Sequence, residues 1–313
     1  MKSITVNPKP FYNAITRRDW FNDPGAVKDW DTTFSLIKRL GFVQVRYNIG
    51  LRDTFQNQIG STVPFIFVDS PELWARRIEP IIKYCLVYKL KLLLVIDDVP
   101  ECLELWGYDG TAALIQRVVD KVRTSMPARY TFENITVDDW QERASMYYEL
   151  MQNINFYGVE VHAPAVTCRP FLPWESVLSQ FITSKEASLY SSFSVNIYVD
   201  ARYVERPLDV YKNLLTASKI ELAVSAKPYT IQETGMNANY AQSNDFERGK
   251  LINKMEKLII QSGGFKDYGI YGTHDSLSTP PNEQFSIINA NLILGYLCNS
   301  GYAPSIVIPS SVV

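Results

Sequence analysis

KLLLVIDDVP, residues 91–100, is the stretch that decides the fold. Five aliphatic residues in a row, Leu92 to Ile96, show no polar alternation, so a strand formed here needs cover on both faces. Strands of that kind belong to parallel sheets flanked by helices. The run stops at two carboxylates, Asp97 and Asp98, which places polar chemistry at its C-terminal tip.

Working outward, the same unit recurs on both sides. Upstream, Ser70-Pro71 reads as an N-cap followed by proline at the first helical position, and Trp74, Ile78, Ile81, Ile82 and Cys85 share one helical face. Before that, GFVQVRYNI (41–49) reads as a strand, and Gly41 stops a helix carrying Trp30, Phe34, Ile37 and Leu40. The apolar segment Phe11–Ile15 is taken as the first strand. Downstream, Leu114, Ile115, Val118, Val119 and Val122 line a helix that Pro127 ends before ARYTFEN (128–134). Asp138 and Gln141 resemble a capping box for a helix with Trp140, Ala144, Tyr147, Met151 and Ile154.

Further strands are expected at VEVHAPAV (159–166), FSVNIYVD (193–200), KPYTIQETG (227–235) and DYGIYG (267–272). Helices between and after them are expected at about 174–190, from Pro207, from Asn244-Glu247, and over Phe285–Leu297. Eight strands, each followed by a helix, at this length imply a single (β/α)8 barrel spanning residues 1–313. A doubly wound open sheet would carry a Gly-rich phosphate loop after its first strand, and AITRRDWFNDPG (14–25) has none.

Composition narrows the function classes. With 46% hydrophobic residues and a net charge of -2, the chain buries a core and offers no overall basic field for a nucleic acid or an anionic membrane. Two histidines and four cysteines without CxxC spacing do not make a metal site or a disulfide framework, and neither metal nor organic cofactor is expected. No apolar run is long enough to span a bilayer, and MKSITVNPKPFYNAI lacks a signal-peptide core. The expected location is therefore cytoplasmic, or within an exported assembly. Aromatic residues reach 13%, a surplus suited to stacking on sugars or bases.

Catalytic groups of such barrels sit at the C-terminal strand ends. Those windows hold Arg46 and Asn48, Asp97 and Asp98, Glu133 and Asn134, His162, then Asn196, Tyr198 and Asp200, Glu233, and finally His274 and Asp275. Two carboxylates across a barrel mouth suit glycosidic bond cleavage, where one carries a proton and the other is ionised. Asp97, Asp98 and His162 are expected to line the pocket. Trp30, Trp74 and Trp140 fall on apolar stripes and are read as core, whereas Trp20, Trp106 and Trp174, in or beside loops, are read as sugar platforms.

Four of these windows resemble the clan A glycoside hydrolases, and family 5 in particular. PYTIQETG (228–235) resembles the strand-seven motif whose glutamate, followed by Thr-Gly, is the nucleophile. The resemblance thus implies Glu233 as nucleophile, and Glu133 in RYTFENIT (129–136) as acid/base. GFVQVRYN (41–48) is similar to the strand-two segment whose arginine supports the nucleophile, which implies that role for Arg46. FSVNIYVD is similar to the strand-six His-x-Tyr motif, with Tyr198 at the tyrosine and Asn196 in place of the histidine. The chain also writes Glu133-Asn134 where the family writes Asn-Glu, its asparagine binding a sugar 2-hydroxyl.

Two functions follow. One is a retaining hydrolase of β-glycosidic bonds in an oligo- or polysaccharide. The other is a non-catalytic carbohydrate-binding or structural barrel, favoured by the altered strand-four motif. A barrel lyase or aldolase would need a strand-end lysine, and those windows contain none. Sugar identity, linkage and oligomeric state are not encoded in these windows.

Overall fold

The structure is a computed structural model that describes residues 1–6, 24–53, 65–66, 78–199, 206–236, 245–270 and 296–297, with the side chains of 24–30, 32, 52–53, 65–66, 236 and 245 left aside. The barrel strands are β1 (Lys2–Val6), β2 (Gln44–Gly50), β3 (Lys91–Asp97), β4 (Ala128–Phe132), β5 (Val166–Cys168), β6 (Phe193–Val199), β7 (Tyr229–Met236) and β8 (Phe265–Ile270). Helices α1 (Pro24–Arg39), α2 (Glu79–Val87), α3 (Val99–Arg123), α4 (Trp140–Asn153), α5 (Trp174–Thr183), α6 (Pro207–Leu222) and α7 (Asp245–Ser262) follow β1 to β7 in turn. A two-residue antiparallel ladder, Arg52–Asp53 with Phe65–Ile66, decorates the β2–α2 connection.

Every barrel pairing is parallel, and the ladder runs β4-β3-β2-β1-β8-β7-β6-β5. Its two ends meet through isolated parallel bridges, Tyr130 with Val161 and Ile135 with Val166. The His162 N–H donates to the Tyr130 carbonyl at 2.8 Å, and the Ile135 N–H to the Ala165 carbonyl at 3.0 Å. The result is a closed (β/α)8 barrel.

Alternation along the strands sorts residues between two cores. Val45, Tyr47, Leu92, Leu94, Ile96 and Phe132 face outward into the layer beneath the helices, where Phe132 stacks on Tyr147 of α4 with ring centroids 4.6 Å apart. Apart from Leu93 and Val95 of β3, the side chains named inside the barrel are polar, unlike the usual tiers of branched aliphatics. At its N-terminal end Arg129 donates to Gln44 (3.2 Å) and Asp267 (2.9 Å). One level up, Gln232 donates to Thr131 (3.1 Å) and to the Ala163 carbonyl (3.0 Å). Buried donors need acceptors, and these find them across the lumen, whereas Gln232 Oε1 accepts no hydrogen bond from the described protein groups.

Strand β7 carries an extra residue relative to both neighbours. Ile231 pairs with Val195 and Tyr268, but Glu233 already pairs with Asn196, and Thr234 with Ile270. This bulge lets Gln232 and Glu233 both point inward, where strict alternation would send one of them out. The bulged backbone leans on Gly269 of β8. A Cβ there would lie 2.2 Å from the Gln232 carbonyl oxygen and 2.8 Å from Ser3 Oγ.

Several sequence expectations change. The first barrel strand is Lys2–Val6, and Phe11–Ile15 lies outside the described residues, as do 285–295 and the Ser70-Pro71 cap. Asp138 is not the cap of α4; the N-cap is Asp139, whose Oδ1 accepts from the Thr136 N–H (2.7 Å) and hydroxyl (2.9 Å). Helix α3 begins directly at Val99 and breaks at Gly107, whose φ of 65° and ψ of -175° no helix accommodates. The helix expected over 174–190 ends at Thr183, and a 3₁₀ turn covers Glu186–Leu189.

We expect Gly269→Ala to destabilise the fold by about 1–3 kcal/mol, because the new methyl must displace strand backbone. Chemical denaturation checks this; an unchanged unfolding midpoint would mean that β7 and β8 are not clamped together at the bulge.

Candidate active site

At the C-terminal rim, β2, β6 and β7 converge on one carboxylate. Glu233 is 5% exposed and Arg46 is 1% exposed, and Arg46 Nη1 forms an ion pair with Glu233 Oε1. The Tyr198 hydroxyl donates to Oε2 at 2.5 Å, and Asn196 Nδ2 donates to the same oxygen at 3.1 Å. Arg46, Tyr198 and Asn196 present donors only, an environment made for a carboxylate. The bulge delivers Glu233 to this point, and the period-two facing of β6 brings Asn196 and Tyr198 alongside.

A second carboxyl group lies beyond β3. Glu133, directly after β4, accepts from Arg143 Nη1 of α4 at 2.8 Å and from the Asp98 N–H. Burial, and after it the neighbouring Asp97 carboxyl group, push its pKa up to about 8, while Arg143 pulls the other way. Asp97 Oδ1 accepts from the Asp98 N–H at 3.2 Å, so a single N–H serves both carboxyl groups. Asp98 itself has left-handed backbone, φ 63° and ψ 25°.

The two carboxyl centres are joined. Arg46 Nη1 donates to Asn48 Oδ1 at 3.1 Å, and Asn48 Nδ2 donates to Asp97 Oδ2 at 3.3 Å. The chain Glu233–Arg46–Asn48–Asp97–Glu133 thus crosses β7, β2 and β3 to reach the end of β4. Asn134 follows Glu133, and its buried Oδ1, like Asn196 Oδ1, accepts no hydrogen bond from the described protein groups.

The structure therefore brings Arg46, Asp97, Asp98, Glu133, Asn134, Asn196, Tyr198 and Glu233 to one rim. It does not bring His162 there. Strand β5 starts at Val166, and His162 bridges Ser192 just before β6 begins, near the opposite end of the barrel. There it lies 3.6 Å from Glu160, and burial and nearby Arg129 hold its pKa down at about 4. Trp174 is not a sugar platform, because it is 1% exposed and packs into the core from the first turn of α5. Trp106 sits in α3, half-buried against the core, and not in a loop. Trp140 packs against the core as expected. Trp20, Trp74, Asp200, His274 and Asp275 lie outside the described residues.

Arg143 was missed because nothing about an arginine ten residues past Glu133 marks it. The cue was its i,i+4 partner Asp139, which receives Arg143 Nε at 2.7 Å and fixes the arginine's direction. Among the described residues no group of three or more His, Cys, Asp or Glu side chains could hold a metal ion, and no helix is long and apolar enough to cross a membrane.

Comparison with solved structures yields a likeness of fold. The GH5-4 broad specificity endoglucanase from Clostridium acetobutylicum superposes with a TM-score of 0.60 at 13% identity, covering 91% of each chain. The hyperthermostable endo-1,4-beta-D-mannanase from Thermotoga petrophila gives 0.59 at 10% identity, with 96% of this chain and 99% of that one covered. A family 39 glycoside hydrolase from Bacteroides cellulosilyticus gives 0.57 at 13% identity, with 95% and 63% covered. The architecture is shared with barrel glycoside hydrolases. Neither a protein-family profile nor a curated protein matches the sequence.

Arg46→Met should destabilise the protein by ~3–5 kcal/mol, since it strands a buried carboxylate. Adding Glu233→Gln should recover part of that loss, which equilibrium denaturation of both variants measures. Purely additive losses would mean that the pair is not coupled.

Proposed function

We propose that this protein is a glycoside hydrolase that cleaves β-glycosidic bonds in an oligo- or polysaccharide with retention of configuration. The observation that carries the reading is the contrast between the two glutamates. Glu233 is ringed by donors and oriented, whereas Glu133 is held in its acid form up to about 8. A carboxyl group oriented by donors and a second one kept protonated by burial suit the roles of nucleophile and proton donor.

In this mechanism Glu233 attacks the anomeric carbon while Glu133 protonates the departing oxygen. Glu133, now ionised, then takes a proton from the water that hydrolyses the glycosyl ester. Arg46, Tyr198 and Asn196 orient Glu233, and the unfilled acceptors Asn196 Oδ1 and Asn134 Oδ1 suit sugar hydroxyl donors. The similarity of fold to endoglucanase and mannanase barrels supports the substrate class. No metal or organic cofactor enters the reaction as written.

The non-catalytic carbohydrate-binding or structural barrel draws on one observation: both oxygens of Glu133 are engaged, by Arg143 and by the Asp98 N–H. An acid so held must exchange the Arg143 bond for the glycosidic oxygen as substrate enters.

Assays with aryl glycosides and β-linked polysaccharides decide between the two. Glu233→Gln should abolish turnover with the fold intact. Glu133→Gln should slow substrates with poor leaving groups by ~10²–10⁴-fold and activated aryl glycosides far less. Wild-type kcat/KM should fall as pH rises through about 8, where Glu133 loses its proton. The product should first appear with the substrate's anomeric configuration, by NMR. Binding without cleavage in wild type would establish the non-catalytic barrel.

A further inference from the structure

Of the rim carboxyl groups that the two-glutamate scheme does not use, Asp97 shares a hydrogen-bond donor with Glu133. Asp97 ends β3, faces into the barrel, and is half-buried. Among the described residues, the hydrogen bonds of both its carboxyl oxygens lead to one of the two glutamates. Its Oδ2 accepts from Asn48 Nδ2 at 3.3 Å, Asn48 in turn accepts from Arg46, and Arg46 pairs with Glu233. Its Oδ1 shares the Asp98 N–H with Glu133 Oε1, so the two carboxyl groups meet at one donor, and Asp97 is among the causes that raise the Glu133 pKa. Two carboxyl oxygens that converge on one N–H repel each other when both are ionised, and a proton held between them relieves that repulsion.

We propose that Asp97 is a positioning residue that holds one proton in common with Glu133 and so keeps Glu133 loaded as the proton donor. The proposal rests on the hydrolase reading for its catalytic meaning, but the shared proton is a property of the pair alone. The groups facing Glu133 are Asp97 of β3, the Asp98 N–H at the start of α3, and Arg143 with Tyr147 beneath it on α4. Among the described residues, Arg46 is linked to the pair through Asn48.

Within the pair, Asp97 accepts from Asn48 and the Asp98 N–H, and burial raises the Glu133 pKa, which leaves the proton on Glu133. Arg143 opposes this by stabilising ionised Glu133. When Glu133 gives its proton to the leaving oxygen, two carboxylates face each other across the shared N–H. Their repulsion favours reprotonation from the attacking water, whose hydroxide goes to the anomeric carbon as the bond to Glu233 breaks. Each turnover then returns one proton to the pair.

The test is a carbon-13 NMR titration of the full chain, following the carboxyl carbons of Glu133 and Asp97, alongside the pH profile of kcat/KM. In wild type both carbons should move through the same two inflections, the signature of a coupled pair. In Asp97→Asn, Glu133 should bind its proton at least about tenfold more weakly, and the alkaline limb of kcat/KM should move down with it. Arg143→Met should shift Glu133 in the opposite direction, which a general loosening of the site would not do. An unchanged Glu133 titration in Asp97→Asn, or independent single inflections in wild type, overturns the proposal. Should Asp97→Asn fail to fold, the wild-type inflections decide alone. Coupled titration in a protein that hydrolyses no glycoside upholds the shared proton and removes the hydrolase reading.

Discussion

The ion pair between Arg46 and Glu233 is the constraint on which the rest of the rim depends. Moving either charge out of water costs several kcal/mol, and the partner offsets this only when geometry is good and the remaining polar atoms are engaged. That requirement explains the neighbours. Tyr198 and Asn196 fill the second oxygen of Glu233, and Asn48 occupies a second direction of the Arg46 guanidinium. The β7 bulge and Gly269 follow from the same need, because without an extra residue Glu233 could not face inward beside Gln232.

From Arg46 the network continues to Asp97 and Glu133, so the two glutamates are ends of one hydrogen-bonded chain. This chain runs along the inner faces of β2 and β3, where Leu93 and Val95 fill the lumen below Asp97. Below it, the Gln232–Thr131 and Arg129–Asp267 bonds span the barrel at successive levels. A polar lumen is unforgiving, since each group must be satisfied at a fixed distance, and it rigidifies the rim that stands on it.

The fold was legible because its outward layer obeys simple periods. Leu92 to Ile96 read as a doubly buried strand and are buried on both faces, and the helical stripes of Leu114–Val122 and Tyr147–Met151 lie where their spacing put them. The rim was legible wherever a strand ended cleanly, as at Arg46, Asp97, Tyr198 and Glu233. Strand five was not such a case. VEVHAPAV has strand-like residues, but only Val166–Cys168 forms the ladder, and His162 falls at the far end. Trp174 misled because the loop before it closes at Pro173, which turns the indole into the core. The bulge depends on neighbours distant along the chain and no local pattern announces it, while the Arg143 contact had only the i,i+4 spacing to Asp139 as a cue.

The central claim is that Glu233 forms a bond to sugar. The most direct measurement is incubation with a 2-deoxy-2-fluoro glycoside bearing an activated leaving group, followed by intact mass and peptide mapping. The account predicts one added glycosyl unit per chain, located on the peptide containing Glu233 and absent from Glu233→Gln. Hydrolysis of glycosides with no adduct, or an adduct on another carboxylate, would contradict it.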